Sequence, residues 1–247
     1  MKKQKKINFI NELSPNFSIR KNKIKYIILH YTGTNKLSET LSIFNDPNSK
    51  VSCHWLISSR GILYKIVEEK NTAWHAGISY WKNKKLLNNE SIGIELQNNG
   101  HGLSYKKFPS NQILKLEVLL KNILEKYKID KRNVLAHSDI APERKLDPGE
   151  LFDWSNLAKK QLAYFPAIKK YSSKKKFFFH LGQVNNDIYF IKKMLSKIGY
   201  KCTKNNIFDI YLKLVIEAFQ RRFLPERING IIDEKVYNRI IEVSKNT

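Results

Sequence analysis

Cysteine is nearly absent from this chain: its 247 residues include two, Cys53 and Cys202. Neither has a second cysteine at metal-ligand spacing, which excludes a cysteine-rich zinc finger, and two thiols in different parts of the chain make no disulfide framework. Acidic side chains are scarce too, 22 against 45 lysines and arginines, for a formal net charge of +23. That imbalance suits an anionic partner such as nucleic acid, anionic lipid or an anionic wall polymer. The lysines are spread along the whole chain, however, with no basic-and-aromatic cluster and no recognition helix, so nucleic acid is not expected as the partner. Long apolar runs are also missing. The amino-terminal MKKQKKINFINELS is basic but has no apolar stretch of signal-peptide length, and no segment reaches a transmembrane span. The expectation is a cytoplasmic protein.

What is present is the material of a globular protein: 42% hydrophobic and 12% aromatic residues, enough for a medium domain with a small one beside it. Residues 24–31 (IKYIILHY) read as a buried strand, 37–44 as a short helix closed by Asp46-Pro47, and 55–58 and 63–67 as a hairpin around Ser59-Arg60-Gly61. Residues 92–96 form another strand. From Ser110 to Tyr127, apolar residues at Ile113, Leu114, Leu116, Leu119, Leu120, Ile123 and Leu124 fall at helical spacing, with Pro109 and Ser110 marking the start. Residues 133–136 read as a short strand and 155–165 as a helix capped by Ser155. This alternation predicts an α/β fold, a mixed central sheet flanked by helices. The basic, aperiodic 166–176 reads as a linker between a domain of residues 1–165 and a small helical domain of residues 177–247. Helices at 185–198, 209–223 and 233–243 make up the latter, and docking on the larger domain would help so small a core.

The chemistry concentrates in the stretch AHSDIAPERKLDPGELFDW (136–154), where a histidine, a lysine and several carboxylates share a loop that Pro142 and Pro148 keep from being a helix. Such a cluster is costly to hold in a folded domain unless a partner compensates, and a metal ion is the usual one. His30 ends an apolar run far upstream, and Glu95 lies in ESIGIELQNNG between the two. Three segments that each end a strand in polar residues can assemble one site. Glu95, flanked by Ile92, Ile94 and Leu96, reads as an inward side chain beside a sheet edge. Either Asp139 or Asp147 could complete a His-His-carboxylate set with His30 and His137, and spacing does not separate them.

VSCHWLISSRGILYKIV, NTAWHAGIS, NNESIGIEL and AHSDIAPERKLDPGELFDW resemble, in order, segments of the zinc-dependent N-acetylmuramoyl-L-alanine amidases, in the branch of the anhydro-muropeptide amidases and their wall-cleaving relatives. The resemblance covers about residues 24–154. The opening ILHYTGT is more similar to the wall-cleaving type, and FDIYLKLVIEAFQRRFLPERINGIID resembles the helical peptidoglycan-binding-like module that this type carries.

The resemblance implies one zinc ion on His30, His137 and Asp147 with water in the fourth place, the open arrangement of a catalytic zinc. It also implies Glu95 as general base and Lys145 as oxyanion stabiliser, with Asp139 supporting the loop. The reaction implied is hydrolysis of the amide between the lactyl group of N-acetylmuramic acid and L-alanine of the stem peptide. Peptidoglycan or muropeptides are then the partners of a monomeric enzyme. His75 reads as a pocket wall that could touch substrate, and Asn98, Asn99 and Arg144 as further substrate contacts. His54 reads as packed in its strand, while His101 and His180 carry no signal. The alternative is a non-catalytic peptidoglycan-binding or receptor module on the same fold; such a module usually loses a ligand. Wall-cleaving relatives are commonly exported and often lipid-anchored, which makes the periplasm or wall the alternative location. Recycling relatives are cytoplasmic but usually lack the carboxy-terminal module. The mixture suggests that both anhydro-muramyl and intact-type substrates are accepted.

Overall fold

The computed structural model describes residues 7–167 and 178–247. The expected linker at 166–176 lies, apart from Pro166 and Ala167, outside the described residues. In chain order the strands are β1 (Ile10–Asn11), β2 (Phe17–Ile19), β3 (Tyr26–Tyr31), β4 (Trp55–Ile57), β5 (Leu63–Lys65), β6 (Asn71–Ala73), β7 (Tyr80–Trp81), β8 (Lys84–Lys85), β9 (Ser91–Leu96), β10 (Val134–Ala136), β11 (Phe178–Phe179) and β12 (Ile232–Asp233). The helices are α1 (Leu37–Asn45), α2 (Ser110–Tyr127), α3 (His137–Ile140), α4 (Trp154–Lys159), α5 (Asn186–Ile198), α6 (Ile210–Phe223) and α7 (Glu234–Lys245). Six strands form the central sheet in the order β1-β5-β4-β9-β3-β10. All neighbouring pairs are parallel except the β4–β5 hairpin, so the sheet is mixed, as expected.

Alternation along the strands decides where the site sits. Successive side chains of a strand point to opposite faces. Ile27 and Leu29 of β3, Ile92, Ile94 and Leu96 of β9, and Val134 and Ala136 of β10 all pack in one core with Leu116, Leu119, Leu120 and Ile123 of α2 and Trp154 and Leu157 of α4. The opposite face therefore receives Ile28 and His30, Gly93 and Glu95, and Leu135. Register places His30 beside Glu95 and Ile28 beside Gly93. On this face Tyr26, Ile28 and Leu135 share a second core with Ile188, Ile191, Leu195, Leu212, Phe219 and Ile240 of the carboxy-terminal helices and with Tyr200 just beyond α5. Those helices are thus packed directly on the sheet, and the small core borrows apolar area from the larger one.

Four local expectations change. The stretch 136–154 is not all loop: His137–Ile140 form the single turn of α3 ahead of Pro142. Ser155 does not cap α4; Asp153 does, its carboxylate accepting from Asn156 N (3.0 Å) and Ser155 Oγ (2.7 Å). The helix stops at Lys159 and not at 165, because Gln161 takes a left-handed φ of 61° while Leu162 N donates to Leu157 O and Gln161 N to Ala158 O, a Schellman ending. Glu95 lies on a central strand, not at the edge of the sheet: the alternation that turns it inward is as strong in a middle strand as in an outer one. The short strands β1, β2, β6, β7, β8, β11 and β12 have two or three residues each, too few to show a period of two.

Candidate metal centre and active-site cleft

The ends of β3 and β10 lie side by side, since Leu29 pairs with Ala136, and this brings His30 next to His137, the first residue of α3. The chain then turns through Pro142 and comes back, with Ser138 N donating to Asp147 O (3.0 Å). Three atoms converge: His30 Nδ1 and His137 Nδ1 are 2.9 Å apart, and Asp147 Oδ2 is 2.9 Å from the first and 3.0 Å from the second. All three side chains are buried, and among the described residues they are the one group with metal-ligating geometry. The structure brings Asp147, and not Asp139, to the histidines.

The far nitrogen of each ring sets its tautomer. His137 Nε2 lies 3.2 Å from Ala76 O, which only accepts, and 3.4 Å from Arg144 Nη2, which is itself committed to Ala76 O and Ile78 O; the nearer carbonyl assigns the proton to Nε2 and leaves the Nδ1 lone pair facing the centre. His30 Nε2 lies 3.0 Å from His75 Nδ1, His75 Nε2 lies 3.2 Å from Ser91 Oγ, and Ser91 Oγ donates to Leu87 O at 2.7 Å. Followed back from that last carbonyl, the chain has one consistent direction: His30 donates to His75, His75 to Ser91, and Ser91 to Leu87. Burial, together with the neighbouring His137, lowers His30 to about 4, with Asp147 opposing; burial and the surrounding His30, His54 and His137 also push His75 well down. Burial alone would raise Asp147, but His137 and His30 outweigh it and hold the carboxyl ionised. Two imidazole nitrogens and one carboxylate oxygen directed at a common point form a donor set that fits a divalent metal ion.

Gly93 makes this possible. A Cβ there would come 2.3 Å from His75 Cγ, so the bare backbone of β9 is what lets the His75 ring lie behind His30. We expect His75→Leu to leave a buried N–H on His30 without its acceptor and to lower metal affinity about 10- to 100-fold. Competition with a chromogenic chelator measures this, and wild-type affinity in the variant would show that His30 is oriented without His75.

The centre opens into a cleft of about 390 Å³ whose lining includes His30, Glu95, His137, Lys145 and Asp147 together with Tyr31, Thr32 and His101. A larger groove of about 1030 Å³, between Phe9, Trp55 and α2, lies elsewhere and takes in none of these residues. Glu95 Oε2 is inaccessible and has no hydrogen-bond partner among the described residues. Burial, with Asp147 adding to it and Lys145 opposing, raises Glu95 to about 8. Lys145 follows the turn that its own N–H closes on Ala141 O (3.0 Å).

The other sequence candidates take different places. His75 lies behind His30, as described. Asn98 donates to Lys106 O (2.7 Å) and accepts from Gly100 N (3.2 Å), which braces the 98–106 loop. Asn99 donates to Asn35 Oδ1 at 3.0 Å. Arg144 donates from Nε to Ile78 O (2.9 Å) and from Nη2 to Ala76 O and Ile78 O, and so holds the segment that anchors His137. Asp139 faces away from the centre. His101 reaches the cleft wall: it stacks on Tyr105 at 4.3 Å, meets Tyr31 Oη at 3.0 Å and pairs with Glu150 at 3.0 Å. Tyr31 and Glu150 are 70 and 49 residues away in the chain, and no local pattern marks His101.

A mixed sheet carrying a buried two-histidine, one-carboxylate set, with a partnerless carboxylate and a lysine in the same cleft, is the arrangement of a hydrolase whose site is compatible with a metal. The chain belongs to the N-acetylmuramoyl-L-alanine amidase family, whose model matches residues 20–150. It is 34% identical over 226 residues to the N-acetylmuramoyl-L-alanine amidase AmiD of Escherichia coli K12, covering 85% of this chain and 79% of that protein. It is 39% identical over 106 residues to the 1,6-anhydro-N-acetylmuramyl-L-alanine amidase AmpD of Haemophilus influenzae, covering 42% and 55%. The solved structure of E. coli AmiD in complex with anhydro-N-acetylmuramic acid-L-Ala-D-gamma-Glu-L-Lys superimposes with a TM-score of 0.78 at 31% identity, over 91% of this chain and 90% of that one. No helix among the described residues is long and apolar enough to cross a membrane.

Proposed function

We propose that this protein is a zinc amidase that hydrolyses the bond between the lactyl carbonyl of N-acetylmuramic acid, the anhydro form included, and L-alanine of the stem peptide. The reading rests on one observation above all: His30, His137 and Asp147 converge at the floor of a cleft in which Glu95, the register neighbour of His30, keeps an oxygen without a partner among the described residues. It is supported by family membership and by the anhydro-muropeptide held in the related AmiD structure. His30, His137 and Asp147 would hold the zinc, leaving a position open for water or substrate. The ion supplies Lewis acidity toward the attacking water and the scissile carbonyl. A cation held beside Glu95 would bring its raised pKa down and favour the carboxylate; in that form Glu95 accepts the proton that the water gives up and returns it to the departing L-alanine nitrogen. Lys145 donates to the oxygen that gains negative charge as the carbonyl becomes tetrahedral, an effect that costs about 3–4 kcal/mol where a comparable donor is lost.

Residues 1–165 form the catalytic domain in this reading and residues 177–247 a peptidoglycan-binding-like helical domain, with the protein working as a monomer. The excess of basic side chains suits an anionic wall polymer or its fragments. Digestion of purified muropeptides followed by mass analysis tests the reading. Free stem peptide beginning with L-alanine should appear from both anhydro and reducing-end substrates and stop on chelation; intact muropeptide after long incubation with zinc would overturn the proposal.

A further inference from the structure

The carboxy-terminal helices reach the loop that carries the metal centre through one buried carboxylate. Asp139, 1% exposed, sits in α3 two residues after His137. Its Oδ2 accepts from Ala136 N at 2.9 Å, which ties α3 to the end of β10. The remaining donors come from the other end of the chain. Tyr200 Oη, just beyond α5, donates to Oδ1 at 2.6 Å, and Arg222 Nη1 of α6 donates to Oδ2. Both donors are buried, at 1% and 3% exposure. Arg222 is itself fixed: Nη2 donates to Val134 O of β10 at 3.0 Å, and the guanidinium lies 4.2 Å from the centre of the Trp154 ring.

A buried carboxylate and guanidinium are tolerated only when geometry and further hydrogen bonds compensate for lost water. Asp139 has its acceptor oxygens filled, and its charge opposes that of Arg222. What this clamp holds is the turn through which the site is built. Ala141 N donates to His137 O, Lys145 N donates to Ala141 O, and Ser138 N donates to Asp147 O. His137, Lys145 and Asp147 therefore hang on main-chain bonds that begin in α3. Ile140 and Ala141 share a core with Leu195, Tyr200 and Phe219, so the same face is packed as well as hydrogen-bonded.

We infer that Tyr200 and Arg222 are positioning residues of the metal centre, and that the carboxy-terminal helices complete the active site as its outer support. The inference rests on the zinc-amidase reading for its effect on catalysis, although the clamp can be tested without it. Tyr200→Phe removes one hydrogen bond and almost no volume; Arg222→Met removes the charge, and Arg222→Lys restores part of it. For each full-length variant, zinc affinity by chelator competition, kcat and KM on anhydro-muropeptide, melting temperature and hydrogen exchange at Ala136 and Ser138 are measured. In Tyr200→Phe we expect zinc affinity to fall about tenfold, kcat to fall with KM unchanged, and exchange at the two amides to rise. Arg222→Met should do more, and Arg222→Lys should recover part of the loss. Wild-type zinc affinity, kcat and exchange in Tyr200→Phe and Arg222→Met, with only the melting temperature lowered, would overturn the inference. If the wild-type protein binds no zinc and cleaves nothing, the functional reading falls, and exchange at Ala136 and Ser138 still decides the clamp.

Discussion

Glu95→Gln is expected to bind metal as the wild type does and to hydrolyse muropeptide about 10²- to 10⁴-fold more slowly, the range lost when a positioned general base is removed. The replacement keeps the size of the side chain and takes away its ability to accept and return a proton. Folding should not suffer, and in the metal-free protein the effect of Glu95 on stability has a definite direction with pH. Burial and the nearby Asp147 raise the Glu95 pKa in the folded state to about 8, whereas an unfolded glutamate titrates near about 4.3. Between those values the folded chain holds a proton that the unfolded chain releases, so Glu95 makes the wild type less stable as pH rises through this window. Glutamine has no such proton to hold. In chelator, the variant should gain stability relative to the wild type as pH rises from about 4.3 to about 8, while losing turnover in zinc. Urea denaturation at several pH values and single-substrate kinetics measure the two effects. A Glu95→Gln variant that turns over at the wild-type rate would remove Glu95 from the chemistry.

The frame of the site was legible in the chain because its strands carry strong apolar patterns. His30 ends the apolar run of residues 24–31, and Ile92, Ile94 and Leu96 turn Glu95 to the opposite face. Helix α2 was legible for the same reason, with an apolar stripe long enough to show its period. The choice between Asp139 and Asp147 was not local. Both follow closely on His137, and what separates them is a turn whose main-chain bond runs from Ser138 N to Asp147 O, and a clamp from Tyr200 and Arg222, 61 and 83 residues beyond Asp139. Family resemblance supplied the choice; residue spacing could not. The orienting shell was hidden more deeply. His75 and Ala76 hold the two histidines from a segment with no regular period, and the reason His75 fits is the missing side chain of Gly93, on a different strand. His101 likewise becomes part of the cleft through Tyr31, Tyr105 and Glu150, contacts that exist only once the 98–106 loop has folded back.

Removing the metal should lower stability as well as abolish hydrolysis, because the three ligands come together only in the folded chain. His30, His137 and Asp147 are buried and mutually within 3.0 Å, yet lie up to 117 residues apart in the chain, so the unfolded chain presents no such set. An ion that binds this arrangement and not the unfolded chain stabilises it by about 2.7 kcal/mol at one hundred times its dissociation constant. For a chain of this size that corresponds to a rise in melting temperature of roughly 5–10 °C. Calorimetry with zinc and with chelator should show this difference in the wild type, reversed when zinc is returned. His137→Ala should lose stoichiometric zinc, the zinc-dependent shift and detectable hydrolysis together, whereas Lys145→Met should keep the first two and lose only rate, by about 10²- to 10³-fold. A His137→Ala protein that still gained several degrees from zinc would place the ion elsewhere, and the cleft would have to do its chemistry with Glu95 and Lys145 alone. The contrast between these two variants separates a residue that holds the ion from one that acts on the reacting carbonyl, although they stand only eight positions apart in the chain.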